Sequence, residues 1–149
     1  MKRMRAGEGE RLCNDLLNRV TTVESIAGKI DVRAPFVVEE YRTKLSERIE
    51  SMLGGVEVDR TRLATEVALF ADKPSINEEL VRLASHITEM RKVLGADEAA
   101  GRRLDFIVQE MNREFNTIGS KANDAEITSL VIAGKGEIEK IREQVQNIE

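Results

Sequence analysis

The single histidine of the chain, His86, stands among charged residues in a segment with helical periodicity. Glu79 and Arg82 precede it by seven and four residues, which places all three on one stripe of a helix. Glu78 and Glu89 lie beside this stripe. An imidazole beside carboxylates can ligate a metal, transfer protons or bind phosphate. A flanking histidine with an ordinary helix ion pair explains the same pattern, so both interpretations stay open.

A second set of acidic side chains follows in the next segment with helical periodicity. Glu110 and Glu114 are four residues apart and face the same way on a helix, and Asp105 precedes them. Carboxylates suit Mg²⁺ or Mn²⁺, although the spacing lacks the specificity of a His-Glu-x-x-His or P-loop motif. The groups of the preceding helix that could complete such a site are Glu78, Glu79 and His86. Solvated ion pairs explain the carboxylates equally well, with Arg82, Arg103 and Arg113 as partners.

The segment over residues 102–117 carries more amide side chains than a solvated helix needs. Gln109, Asn112 and Asn116 share it with a seam of apolar residues at helical spacing. Asparagine is a poor helix former because its amide competes for backbone hydrogen bonds. Lysine, glutamate or alanine would suit a solvated face better. The two asparagines therefore predict polar contacts to something other than water.

A possible anion site lies at Gly119-Ser120-Lys121, just before a predicted helix start at Asp124. Helix N-termini present free backbone amides to anions. The basic residues that add positive charge nearby are Arg102, Arg103, Arg113 and Lys121. The net charge of −4 opposes extended nucleic-acid binding unless basic residues gather on one face. Because the sequence also lacks aromatic platforms for single-stranded bases, such a role would rest on phosphate contacts and shape.

The composition predicts an all-α protein. Aromatic residues make up 3% of the chain, tryptophan is absent and charged residues reach 34%, which is typical of long helices with narrow apolar seams. The lone Cys13 cannot form an internal disulfide, and no cysteine spacing typical of a metal site exists. No apolar run approaches the ~20 residues that cross a membrane, and none follows the basic N-terminus. We therefore expect a soluble, cytoplasmic protein.

Two long helices and a set of shorter ones are expected to position these groups. A coiled-coil-like apolar seam predicts a first helix that ends near Asp31, and Pro35 suits the first turn of a second helix. A short connection between them predicts a long antiparallel hairpin over residues 1–55. Residues 56–149 are predicted to form a helical C-terminal domain, a bundle of shorter helices.

Capping signals predict the helix boundaries of the second part. The candidate N-caps are, in chain order, Asp59, Ser75, Asp97 and Asp124. Ser75 forms a capping box with Glu78, and Gly119 is a candidate C-terminal stop. Gly134 and Gly136 weaken the last helix, which predicts either a bend or close packing against a neighbour.

Charged and amide-rich motifs recur along nearly the whole chain. The most specific runs from Gly101 to Asp124. The others are Arg33-Ala34-Pro35, residues 68–73 and 78–83, Ser85-His86 and residues 139–149. Together these motifs resemble the C-terminal half of the bacterial YicC/YloC family, whose members were once described only as stress-induced proteins. Because family proteins are twice as long and begin with a separate N-terminal domain, we expect this chain to be a fragment. We expect it to be inactive alone if RNA binding or ring assembly uses the other half.

The resemblance implies a metal-dependent endoribonuclease that cuts single-stranded or structured RNA. It also implies assembly into oligomers, with the hexamer as the form expected from the family. It implies acid/base roles for His86, Glu110 and Glu114. It implies a Mn²⁺ or Mg²⁺ site at Glu78, Glu79 and Asp105. The implied RNA contacts are Arg82, Arg103, Gln109, Asn112, Arg113, Ser120 and Lys121. We expect these groups to meet in a cleft between the two helices that carry His86 and Glu114. The alternative is a non-catalytic helical oligomerisation or adaptor module.

Overall fold

A computed structural model describes residues 6–54, 59–72, 76–96 and 101–148. Within these ranges the chain forms five α-helices and no strand, which confirms the predicted all-α fold. The helices are α1 (Ala6–Leu53), α2 (Arg60–Asp72), α3 (Asn77–Leu94), α4 (Gly101–Ala122) and α5 (Ala125–Ile148). None of the described helices is both long and apolar enough to cross a membrane.

Four of the described helices pack around one apolar core. In cross-section, α1 contacts α3 and α5, and α4 contacts the same two helices from the opposite side. This ring of neighbours is the arrangement of a four-helix bundle. The predicted seams supply the core: Leu16 and Ile30 of α1, Leu83 of α3, Phe115 of α4 and Ile141 of α5 are all buried.

The predicted hairpin over residues 1–55 is wrong, because α1 continues through Pro35 as one helix of 48 residues. A proline inside a helix loses the hydrogen bond to the carbonyl four residues earlier, here Asp31, and its ring crowds that turn. An ion pair holds the helix together across this defect. The Arg33 guanidinium donates to both carboxylate oxygens of Glu40, with Nη1–Oε1 and Nη2–Oε2 distances of 2.9 and 2.7 Å. It also donates to Asp124 at the start of α5, with an Nη2–Oδ1 distance of 3.0 Å.

The two ends of α1 have different surroundings. Its first half supplies buried residues from Leu16 to Ile30, whereas its last described core contact is the partly buried Val37. Beyond that point α1 packs against α2, and Met52 is largely exposed. The division of the chain into residues 1–55 and 56–149 stays a prediction about domains, although the first half of α1 shares one core with α3, α4 and α5.

Two of the predicted N-caps are confirmed. Asp59 Oδ1 accepts from the backbone N–H groups of Thr61 and Arg62 at 3.1 and 3.2 Å, and Asp124 Oδ2 accepts from Ile127 at 3.0 Å. The N-cap position of α3 is Ile76, with no side-chain cap. The predicted caps Ser75 and Asp97 lie outside the described residues.

The predicted helix stop at Gly119 is wrong, since α4 continues to Ala122. Gly119 instead lets α5 approach closely, because an added Cβ would lie 3.3 Å from Val131 Cγ1. Gly134 on α5 shows the same effect more strongly: a Cβ there would lie 2.6 Å from the Phe115 ring. Of the two explanations offered for this glycine, close helix packing is the one confirmed.

Candidate functional site

A network of buried ion pairs joins α3 to α4. The Arg82 Nε donates to both carboxylate oxygens of Glu114, at 2.9 and 3.1 Å. One turn away, Lys121 Nζ donates to Glu79 Oε1 at 2.6 Å, and Arg82 Nη2 lies 3.5 Å from the same oxygen. Glu79 is 1% exposed and Glu114 is 4% exposed, so these charges are removed from water. Carboxylates this deeply buried need their cationic partners in order to stay ionised.

The charge of Glu79 is held in place by its neighbours. Burial alone would raise the pKa of Glu79, but the hydrogen bond from Lys121 and the positive charges of Lys121 and Arg82 outweigh it and hold that pKa below its usual range. The hydrogen bond to Glu114 raises the pKa of Arg82. Within the described residues, the second oxygen of Glu79, Oε2, is buried without a hydrogen-bond partner.

A second ion pair fixes the register of the two helices. Arg103 near the start of α4 donates to Glu89 Oε1 near the end of α3, with an Nη2–Oε1 distance of 2.7 Å. The pairing of Arg82 with Glu114 lies further along, so α3 and α4 run antiparallel. The hydrogen bond from Arg103 lowers the pKa of Glu89. Both pairs lie on the stripes that the two helices turn toward one another.

His86 and Glu110 lie between these two ion pairs. His86 follows Arg82 by four residues, and Glu110 precedes Glu114 by four, so helical spacing places each on the stripe that faces the other helix. His86 is half-buried, and its Nε2 is shielded from solvent without a hydrogen-bond partner in the described part of the chain. Glu110 is also half-buried, and its Oε1 lies 3.8 Å from Arg113 Nη1. A free imidazole nitrogen near a carboxylate stripe is suited to proton transfer.

The third predicted acid/base residue has a different environment. Both oxygens of Glu114 accept from Arg82, so its carboxylate is held in place by the guanidinium. In this position Glu114 orients the arginine. The sequence could not distinguish Glu114 from Glu110, because the two share one face of α4 and differ only in which residue of α3 stands opposite.

The predicted metal ligands do not come together. Glu78 is exposed and lies 3.6 Å from Arg82 Nη1, whereas Glu79 is buried against Lys121. Asp105 lies on another flank of α4, where it accepts from Gln109 Nε2 at 3.1 Å. In the ranges that the structure describes, no group of three or more His, Cys, Asp or Glu residues is arranged to hold a metal ion. The described residues therefore do not fit a cation held by this set alone.

The predicted RNA-binding residues divide into two groups. Arg82 and Lys121 are bonded to buried carboxylates and stabilise the helix pair. Of the others, Gln109, Arg113 and Ser120 are exposed on the outer side of α4, whereas Arg103 is exposed but paired with Glu89 of α3. Asn112 is half-buried. Ser120 Oγ donates to the backbone carbonyl of Thr117 at 3.0 Å.

One of the unusual asparagines has a partner within the chain. Lys135 of α5 donates to Asn116 Oδ1 at 2.5 Å. The polar contact that the sequence predicted for this position is therefore a link between α4 and α5. Asn112, four residues earlier, is half-buried on the same helix.

Sequence reasoning missed Phe106. We expected no aromatic platform, but this ring is 51% exposed on α4, with the guanidinium carbon of Arg103 5.8 Å from its centroid. The signal was present in the spacing: the buried seam of α4 uses Leu104, Ile107 and Val108, so position 106 falls outside it. An apolar ring off the seam of an amphipathic helix is left in contact with solvent.

Residues 30–149 match the family described as endoribonuclease YicC-like, C-terminal. The chain is 47% identical over 150 residues to a protein of Clostridioides difficile (strain 630) named "Probable endoribonuclease YicC", an alignment that covers all of this chain and 51% of the relative. It is 37% identical over 146 residues to a protein of the same name from Haemophilus influenzae, covering 98% of this chain and 50% of the relative. The chain thus spans about half the length of the curated relatives it matches. It belongs to the YicC-like endoribonuclease family and corresponds to the C-terminal part of its members.

Proposed function

We propose that this chain is the helical C-terminal part of an endoribonuclease and that the α3–α4 interface supplies a proton-transfer group for RNA cleavage. The observation that carries the proposal is His86, whose Nε2 is shielded from solvent and has no hydrogen-bond partner among the described residues. Buried polar atoms are normally satisfied, so an unpaired imidazole nitrogen is a candidate for a catalytic role. The names of the two relatives give the class of substrate, RNA.

The chemistry proposed for this site is proton transfer from the attacking oxygen and to the leaving oxygen of a phosphodiester bond. An oxygen nucleophile attacks phosphorus, a base takes its proton, and an acid protonates the oxygen that leaves. His86 would serve as one of these two groups, and Glu110, on the facing stripe of α4, as the other. Arg82 would stabilise negative charge on the phosphate, since its side chain is 48% exposed even while Glu114 holds its Nε.

The proposal assigns no role to a divalent metal ion. Dependence on Mn²⁺ or Mg²⁺ stays a prediction about the longer proteins of this family, because the described carboxylates of this chain are not arranged to hold a cation together. Assembly into hexamers likewise stays a prediction. No step assigned to His86 or Glu110 depends on either.

The experiment compares cleavage of end-labelled RNA by this chain and by any longer protein that contains it, called here the longer protein, with Mn²⁺ and with chelator. We expect His86→Ala and His86→Gln to slow cleavage by roughly 10²–10⁴-fold, the usual contribution of a general acid or base. Ser85→Ala, an exposed neighbour on α3, is the matched control. Circular dichroism of each variant verifies the helical fold. Cleavage by both His86 variants at the rate of the control would contradict the proposal.

A non-catalytic oligomerisation or adaptor module remains the second candidate, and exposed apolar side chains favour it. Val32, Phe36 and Met52 of α1 are 68%, 58% and 76% exposed, more than a solvated helix requires. Sedimentation analysis of the chain tests association. If the chain self-associates and the longer protein cleaves no RNA under any metal condition, this candidate is supported over the first.

A further inference from the structure

The exposed face of α4 carries a strip of four residues with an aromatic ring among polar groups. Arg102, Phe106, Gln109 and Arg113 follow one another at spacings of four, three and four, so they share one side of the helix. All four are exposed. Large aromatic residues favour burial, so this half-exposed ring leaves apolar surface in contact with water and open to a partner.

The Phe106 ring is held in position from the neighbouring helix. Arg103 places its guanidinium carbon 5.8 Å from the ring centroid, within the range of a cation–π contact. Glu89 of α3 in turn accepts two hydrogen bonds from Arg103, at 2.7 and 3.2 Å. The stack therefore consists of Phe106 and Arg103 of α4 and Glu89 of α3. A ring fixed before binding loses less conformational freedom when a ligand arrives.

The arginines and carboxylates of α4 are sorted by burial. Its three arginines are exposed, while its three carboxylates are at least half-buried. The arginines are Arg102, Arg103 and Arg113, and the carboxylates are Asp105, Glu110 and Glu114. Although the whole chain has a net charge of −4, the outer side of α4 presents cations around an aromatic ring. Its electrostatic complement is a polyanion with flat, stackable groups.

We propose that Phe106 stacks on an unpaired base of single-stranded RNA while Arg102 and Arg113 contact phosphates on either side of it. The two arginines are separated by about 16 Å along the helix, enough to follow a few nucleotides. The proposal rests on the proposed function, since it concerns the same RNA. Phe106 lies away from the stripe of His86, so it positions the strand and takes no part in proton transfer.

The chain lacks tryptophan, so a single substitution creates a specific optical probe. Phe106→Trp places an indole in the strip, and Ile132→Trp, an exposed position on α5, is the matched control. Titration with an unstructured oligoadenylate in the presence of chelator should quench the first variant and leave the second unchanged. An oligomer of the same length with abasic sugars supplies phosphates without bases and should not quench. Equal quenching by the abasic oligomer, or no quenching at all, would overturn the proposal.

Affinity gives a second readout. Phe106→Ala should weaken oligoadenylate binding by about 5- to 150-fold, the range measured for base–aromatic stacking, and Phe106→Tyr should restore it. Unchanged affinity in Phe106→Ala refutes stacking even if the longer protein cleaves RNA. Quenching without cleavage supports stacking while the proposed function fails. If Phe106→Ala lowers the sedimentation mass but leaves the affinity for oligoadenylate unchanged, a second copy of the chain covers Phe106. The RNA proposal is then wrong.

Discussion

Removing Lys121 tests whether charge holds the α3–α4 interface together. Lys121→Met keeps the apolar stem but deletes the ammonium that lies 2.6 Å from Glu79 Oε1. Glu79 then remains buried at 1% exposure with Arg82 as its described cationic neighbour, 3.5 Å away. Leaving one member of a buried pair without its partner costs about 3–5 kcal/mol. Because Lys121 is 38% exposed and Arg82 compensates in part, we expect about 2–3 kcal/mol of lost stability at pH 7.

The dependence on pH distinguishes charge from packing. In the native protein the pKa of Glu79 lies below the unfolded value of 4.5, so its stabilising effect is present above pH 4.5 and is lost as pH falls through the lowered pKa. Without Lys121 we expect burial to dominate and raise this pKa. As pH falls, Glu79 of the variant is protonated first, which removes its unpaired buried charge. The stability difference from the native protein should therefore shrink between pH 7 and pH 4.

Urea denaturation followed by circular dichroism measures the difference at each pH. Lys140→Met is the matched control, because Lys140 lies 3.4 Å from Glu137 in an exposed pair that should contribute about 0–1 kcal/mol. A stability loss in Lys121→Met that stays constant from pH 7 to pH 4 would show that the lysine stem acts through packing. That result would refute the electrostatic account of this interface.

Two further predictions concern the helices themselves. Gly134→Ala should destabilise by about 1–3 kcal/mol because its Cβ would lie 2.6 Å from the Phe115 ring, whereas Gly136→Ala, with nothing within 4 Å, should stabilise by up to about 1 kcal/mol. Equal effects of the two in thermal unfolding would contradict the close packing described for α5. Pro35→Ala should stabilise by about 1–3 kcal/mol, since it restores an amide donor to the Asp31 carbonyl inside α1. If Pro35→Ala instead lowers the free energy of unfolding measured by urea denaturation, Pro35 stabilises α1 and the prediction is wrong.

Local pattern was enough to predict the all-α class and most of the core. Residues such as Leu83 and Ile87 recur at helical spacing, and the structure buries them in the core. The Asp59 and Asp124 caps were predictable for the same reason, since a cap contacts amides only two or three residues away. Pro35 failed as a signal because a proline removes one hydrogen bond and crowds one turn without always ending a helix, and α1 continues through it with Arg33 and Glu40 paired on either side.

The site was harder to predict because it depends on register between helices. Glu110 and Glu114 are indistinguishable in the sequence, but Arg82, 32 residues before Glu114, stands opposite the latter and neutralises it. The predicted metal ligands are separated among the described residues for a similar reason, since Asp105 lies on a different flank of α4 from the one that faces Glu79. The metal itself stays a prediction. Composition also concealed Phe106: few aromatic residues did not mean that none was exposed.

The central claim is that His86 transfers a proton during RNA cleavage. The most direct measurement is the single-turnover cleavage rate of the longer protein with the native sequence, with His86→Ala and with Ser85→Ala. We predict a rate for His86→Ala lower by roughly 10²-fold or more at unchanged RNA affinity, and a native rate for Ser85→Ala. A folded His86→Ala protein that cleaves at the native rate would contradict the account.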